Sequence, residues 1–123
     1  MSAGAVCNNM TVKGVYDVKL TNADGSVITG GMSFDGLSNI NFYGSTSNYG
    51  SYTTTLYKNG VRFTGKGAYN FDSKCKLSGI GHYVYNGITT QTIMYTNAMT
   101  IVSSHATYGT GKFNAANMTL KAR

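Results

Sequence analysis

From residue 11 onward, apolar and polar side chains alternate with a period of two, and the alternation restarts after each short turn rich in Gly and Asn. In TVKGVYDVKL (11–20), Val12, Gly14, Tyr16, Val18 and Leu20 share one face, while Lys13, Asp17 and Lys19 lie on the other. Such a period with charges on one side describes a half-buried strand of an antiparallel sheet. SVITGGMSF repeats the pattern with Ile28, Gly30, Met32 and Phe34 facing inward, and Ile40, Phe42 and Gly44 continue it. VRFTGKGAYNF turns Val61, Phe63, Gly65, Gly67, Tyr69 and Phe71 inward, followed by Leu77, Gly79, Gly81, Tyr83 and Tyr85. NADG, KNG and YNG between these runs are turn signals, because Asn and Gly accept the positive φ that tight hairpins need. ITTQTIMYT, TIVSSHATY and KFNAANMTLKA complete the series, the last with a blurred alternation that marks a bulge.

Long helices are disfavoured, since the chain contains no Glu and little Leu or Ala. Its 123 residues are expected to form one all-β domain, a single antiparallel up-and-down β-barrel of about eight strands with a short N-terminal arm (1–10). Residues 11–20 and 112–122 would pair to close it, which removes exposed sheet edges. A β-sandwich is the competing architecture. No segment approaches the roughly 18 apolar residues of a membrane helix.

MSFDGLSNI (32–40) and YNFDSKCKL (69–77) share an inward aromatic, an Asp, a turn and an inward aliphatic. Asp35 and Asp72 are therefore expected to hydrogen-bond their own turn backbones rather than to act as an acid–base pair. The second turn carries Cys75; the other cysteine, Cys7, precedes the first strand. A disulfide requires both at one end of the barrel. Dividing residues 39–57 into two strands gives about nine strands and puts the 72–74 turn at the wrong end. Reading them as one long kinked strand, or with YGSTSNYGSY (43–52) as a loop-like interruption, gives about eight and brings the cysteines together. Eight strands and a Cys7–Cys75 bond are the expectation, with two buried free thiols as the alternative. A disulfide implies an oxidising compartment, secreted or periplasmic. MSAGAVC lacks the charged and apolar regions of a signal peptide, as a mature N-terminus carrying an added Met would.

The order Cys7, Gly14-Val15-Tyr16, an FDG turn and a mid-chain Cys followed by KLSG resembles small secreted bacterial β-barrel domains of unsettled activity. It is similar, more distantly, to the avidin and lipocalin-like calycin barrels, where a Gly-x-Trp opens the first strand and, in avidins, an early Cys bonds a mid-chain one. Tyr16 stands where calycins carry that Trp, and no Trp occurs in the chain, so the resemblance implies a calycin-like barrel without an indole-walled biotin pocket.

The inward glycines bear on function. If they leave a cavity, Tyr16, Met32, Phe42, Phe63, Tyr69, Tyr83 and Tyr95 line it, and the protein is a non-enzymatic binder of an amphipathic small molecule. If they serve only at bends, the interior is filled. The Tyr-rich exterior would then meet a protein or glycan surface, in the manner of an adhesin or inhibitor. The segment 43–52, with Tyr43, Tyr49 and Tyr52, is the expected recognition segment. His82 and His105 have no carboxylate nearby and no Gly-x-Ser-x-Gly turn occurs, so neither a metal site, a cofactor nor an enzyme is expected, a cyclase or isomerase using barrel tyrosines being a minor alternative. The net charge of +6 is dispersed along the chain and does not point to a nucleic-acid partner. The NMT sequons at 9–11 and 117–119 read as coincidence in a chain rich in Asn and Thr.

Overall fold

Antiparallel pairing runs round a closed ring of eight strands. The computed structural model describes residues 7–42 and 48–123. A 3₁₀ turn (Asn9–Val12) leads into β1 (Gly14–Thr21) and β2 (Val27–Phe34). β3 (Ile40–Asn41), β4 (Asn48–Lys58), β5 (Val61–Phe71), β6 (Leu77–Tyr85) and β7 (Ile88–Thr96) follow, then β8 (Thr100–Val102), β9 (His105–Phe113) and β10 (Ala116–Ala122). The ring order is β1-β2-β4-β5-β6-β7-β9-β10, and β10 pairs back onto β1 from Tyr16↔Ala122 to Thr21↔Asn117. β3 and β8 lie off the ring, paired to β4 and β9 respectively.

Eight strands and the expected closing pair are therefore present, but three boundaries differ from the sequence expectation. Residues 39–57 are not one kinked strand: β3 folds back on the start of β4, with Ile40 opposite Tyr49. The expected strand 100–108 is split by a turn in which Ser103 and Ser104 both take positive φ (50° and 64°), and 112–122 contains the β9–β10 hairpin. Alternation reports which face a residue takes; it does not say where a chain without Gly or Asn-Gly reverses. Residues 43–47, including Tyr43 and Gly44, lie outside the described residues.

The turns 22–26 and 72–76 share one hydrogen-bond pattern. Asn22 N–H donates to Ser26 O (2.9 Å) and Gly25 N–H to Asn22 O (2.9 Å); likewise Asp72 N–H donates to Lys76 O (3.0 Å) and Cys75 N–H to Asp72 O (3.0 Å). The left-handed position belongs to Gly25 (φ 86°) in one turn and Cys75 (φ 64°) in the other. A cysteine thus sits where glycine is the unstrained choice. Its thiol reaches Cys7, Cα–Cα 5.2 Å, in a disulfide across 68 residues. Closing a loop of that length stabilises the fold by roughly 4 kcal/mol. Asp35 and Asp72 cap their turns as expected: the Asp35 carboxylate accepts from Leu37 and Ser51 N–H, and that of Asp72 from Lys74 and Lys76 N–H.

The interior is packed. Tyr16, Tyr52 and Tyr69 are each at most 1% exposed, and Phe34 meets Tyr16 and Tyr69 edge to face with ring centroids 5.6 and 5.0 Å apart. Tyr52 lies across Gly67 and Gly81, which face each other on β5 and β6. A Cβ on Gly67 would stand 2.1 Å from the Ile80 carbonyl oxygen and 2.6 Å from the Tyr52 ring; one on Gly81 would stand 2.2 Å from the Lys66 carbonyl oxygen. These glycines therefore serve the bend and leave room for a ring instead of a ligand.

Two outcomes follow for stability, both read by chemical denaturation. Gly67→Ala is expected to destabilise the barrel by about 1–3 kcal/mol, the usual range for overpacking; an unchanged midpoint would contradict the close approach. In a background without the disulfide, Cys7→Ala with Cys75→Gly should exceed Cys7→Ala with Cys75→Ala in stability by about 1 kcal/mol, because only glycine is unstrained at that φ.

Candidate functional site: the barrel mouth and the β6–β7 wall

The two ends of the barrel are built differently. At the end carrying the disulfide, Asn9 is 4% exposed and works as a plug. Its Oδ1 accepts from Phe71 N–H (2.7 Å), and its Nδ2 donates to Leu37 O (3.0 Å) and Ser38 Oγ (3.1 Å). The Tyr69 hydroxyl, donating to Asn9 O (3.3 Å) and accepting from Gly36 N–H (2.8 Å), ties the plug to the core. The Asn9 sequon is thus spent on structure, whereas Asn117 of the second sequon is exposed on β10.

At the opposite end only short turns connect the strands, and the rim has a notch. β9 pairs with β7 only through Met94, Tyr95 and Thr96, so the β9–β10 hairpin stops short and residues 88–92 of β7 have β6 alone as a neighbouring strand. Inside this rim lies a mouth cavity of about 200 Å³, lined by Leu20, Ile28, Leu56, Phe63, Tyr83 and Phe113, with Asn22 and residues 114–116 at its edge. Phe63 meets Tyr85 edge to face (5.1 Å) and packs at a tilt against Tyr83 (5.5 Å), and Tyr83 packs at a tilt against Phe113 (6.1 Å). The Lys58 ammonium sits 5.8 Å from the centre of the Tyr85 ring. A second concavity, about 510 Å³, runs along the outer wall, where Ile40 and Phe42 stand over Ala68 and Ile80, with Lys66, His82 and Gln91 beside them.

The seven residues expected to line one cavity are dispersed. Tyr16, Met32 and Tyr69 are core residues without solvent contact, and only Phe63 and Tyr83 reach the mouth. Phe42 (38% exposed) and Tyr95 (49%) face outward, a correction to both placements. On β7 the inward set is Thr92, Met94 and Thr96, so the apolar Ile93 and Tyr95 are the outer set. Within the expected recognition segment, Tyr49 is half buried against Phe42 (5.0 Å), while Tyr52 points into the core and cannot meet a partner.

Sequence reasoning missed Tyr85, Phe113 and the outer face of β6 and β7. One signal was available: residues 77–111 contain no Lys, Arg or Asp. That run builds β6, β7, β8 and most of β9, a contiguous sector of wall. It carries Ile80, Val84, Ile88, Ile93, Tyr95, Val102 and Tyr108, half of the large exposed apolar side chains among the described residues.

Electrostatically the interior is inert. Burial pushes Tyr52 and Tyr69 up to about 12, and Tyr16 higher still; the Thr92 hydroxyl offsets only part of the effect at Tyr52, whose own hydroxyl has no hydrogen bond of good geometry. His105 Nε2 contacts Lys13 O (2.9 Å), and no group of three metal-ligating side chains occurs among the described residues. The arrangement offers apolar contact and stacking rather than proton transfer. The chain matches no family model, no curated protein and no solved structure.

Tyrosine ionisation checks the packing. A folded-state value above the unfolded 10 means that the three buried hydroxyls stabilise the fold fully below pH 10 and lose that contribution as the pH rises through about 12. Absorbance titration at pH 11 should therefore show Tyr16, Tyr52 and Tyr69 still protonated, with stability falling beyond pH 10. Ionisation of all ten tyrosines near pH 10 in folded protein would contradict this.

Proposed function

We propose that this chain is a non-enzymatic binding protein working in an oxidising compartment, and that it takes a protein partner on the uncharged sector of its wall. The observation that carries this is the absence of Lys, Arg and Asp from residues 77–111 in a chain of net charge +6, together with the exposed apolar residues of β6 and β7. Interface centres are depleted of charge and keep it at the rim; here Lys66, Lys76 and Lys112 border the sector. Contiguous exposed apolar surface on a monomer points the same way. The Cys7–Cys75 bond supports secretion or a periplasmic location, since such bonds do not persist in a reducing cytosol.

An amphipathic small molecule deep in the barrel has less support. The space it would need is filled by the protein's own rings, and the mouth cavity of about 200 Å³ falls below the roughly 300–1,000 Å³ of typical ligand sites.

Photo-cross-linking tests the proposal. With p-benzoylphenylalanine at Ile80 or Ile93, protein secreted by its own host should form a defined protein adduct; the same group at Lys19 or Thr29, on the β1–β2 wall, should form none. Equal adducts at all four positions, or none, would overturn it. Glycan binding abolished by Ile93→Lys, without any protein adduct, would reassign the partner as a sugar.

A further inference from the structure

β9 leaves its place beside β7 early, and a side chain takes over. At the start of the β9–β10 turn, Asn114 N–H donates to Ile93 O (2.8 Å), its Oδ1 accepts from Ile93 N–H (2.8 Å) and its Nδ2 donates to Gln91 O (3.0 Å). Asn114 has φ 52°, so its chain turns off into β10. Its side-chain amide supplies the acceptor that its own carbonyl, and the donor that the residue two further on, would have supplied in a continuing strand.

Beyond Asn114 no described strand occupies the lane. Backbone groups alternate in direction along a strand, so Thr89 presents its N–H and C=O, and Gln91 its N–H, to the same side as Ile93. Both residues are exposed, and no strand among the described residues pairs with them on that side. Edge strands usually carry Lys, Pro or a bulge that blocks further pairing; Ile88-Thr89-Thr90-Gln91 has none of these. The lane is about four residues long, roughly 13 Å at about 3.3 Å per residue.

We propose that an extended segment of the partner protein adds here as an antiparallel strand, in the lane that β9 vacates, and places an apolar side chain in the mouth cavity. Directly opposed residues of an antiparallel pair project to the same face. A partner residue opposite Thr90 therefore projects to the side of Tyr83, which pairs with Thr90 from β6. There it meets Tyr83 and Phe113 over a cavity of about 200 Å³, room for one side chain. Main-chain hydrogen bonds supply the affinity of such an added strand and the pocket its specificity. The proposal rests on the reading of the uncharged sector as a partner surface, and it names the form in which the partner binds.

The test titrates ¹⁵N-labelled protein with a capped pentapeptide of alternating threonine and apolar residues, phenylalanine at its centre. A second peptide differs only in N-methylation of the amides that would face β7, which leaves the protein unaltered. The expected result is a shift of the Thr89 and Gln91 amides, contacts from the peptide phenylalanine to Tyr83 and Phe113, and at least tenfold weaker binding after N-methylation. Equal affinity of the two peptides, or no response of Thr89 and Gln91 at millimolar peptide, overturns strand addition. Shifts confined to Ile80 and Ile93 also overturn it, while leaving the partner surface itself standing.

Discussion

The fit of the Tyr52 ring over Gly67 and Gly81 sets the girth of this barrel, and most other features depend on it. Because neither glycine has a Cβ, β5 and β6 bend tightly enough that each carbonyl comes within about 2 Å of where the opposing glycine's Cβ would be. The same relation recurs where Gly30 meets Thr55 and where Gly111 meets Tyr95. A barrel bent this sharply has room for its own aromatic side chains and little else. Burial of Tyr16, Phe34, Tyr52 and Tyr69 then supplies a large part of the apolar contact that a domain of this size needs.

With the interior filled, the ends and the outer wall are left for function, and the ends are not equivalent. At one, the disulfide, the Asn9 amide and the Tyr69 hydroxyl all tie the N-terminal arm to the turns around it. Together with the disulfide, the two hydrogen-bonded groups make local opening there costly. At the other end short turns close the strands and no described segment crosses the mouth. The notch beside β7 exists because β9 turns back at Asn114, before the β6–β7 hairpin has ended.

Charge follows the same division. Lysines and arginines stand on β1, β4, β5, β9, β10 and the turns, while β6 and β7 carry only His82 among basic residues. The uncharged sector is where an apolar contact costs least in desolvated charge.

How much of this could be read beforehand differs from residue to residue. The two-residue period of TVKGVYDVKL, the Asn-Gly turns and the paired Phe-Asp turns determined the strand class, the face of most side chains and, through the position of Cys75, the eight-strand count. These are local properties, set by backbone sterics and by side chains bonding their own turns. The Ser103–Ser104 reversal escaped, because serine seldom takes the positive φ that both adopt there, and so did the phase of ITTQTIMYT, where Thr and Met face Ile and Tyr with no clear contrast in polarity. Whether inward glycines leave a cavity or seat a ring depends on the distance between strands far apart in sequence, and only the closed barrel decides that. The open lane beside β7 likewise arises from the registers of β6, β7 and β9 together: hydrogen bonds between strands are long-range, so a gap in the ring exists only in the tertiary structure.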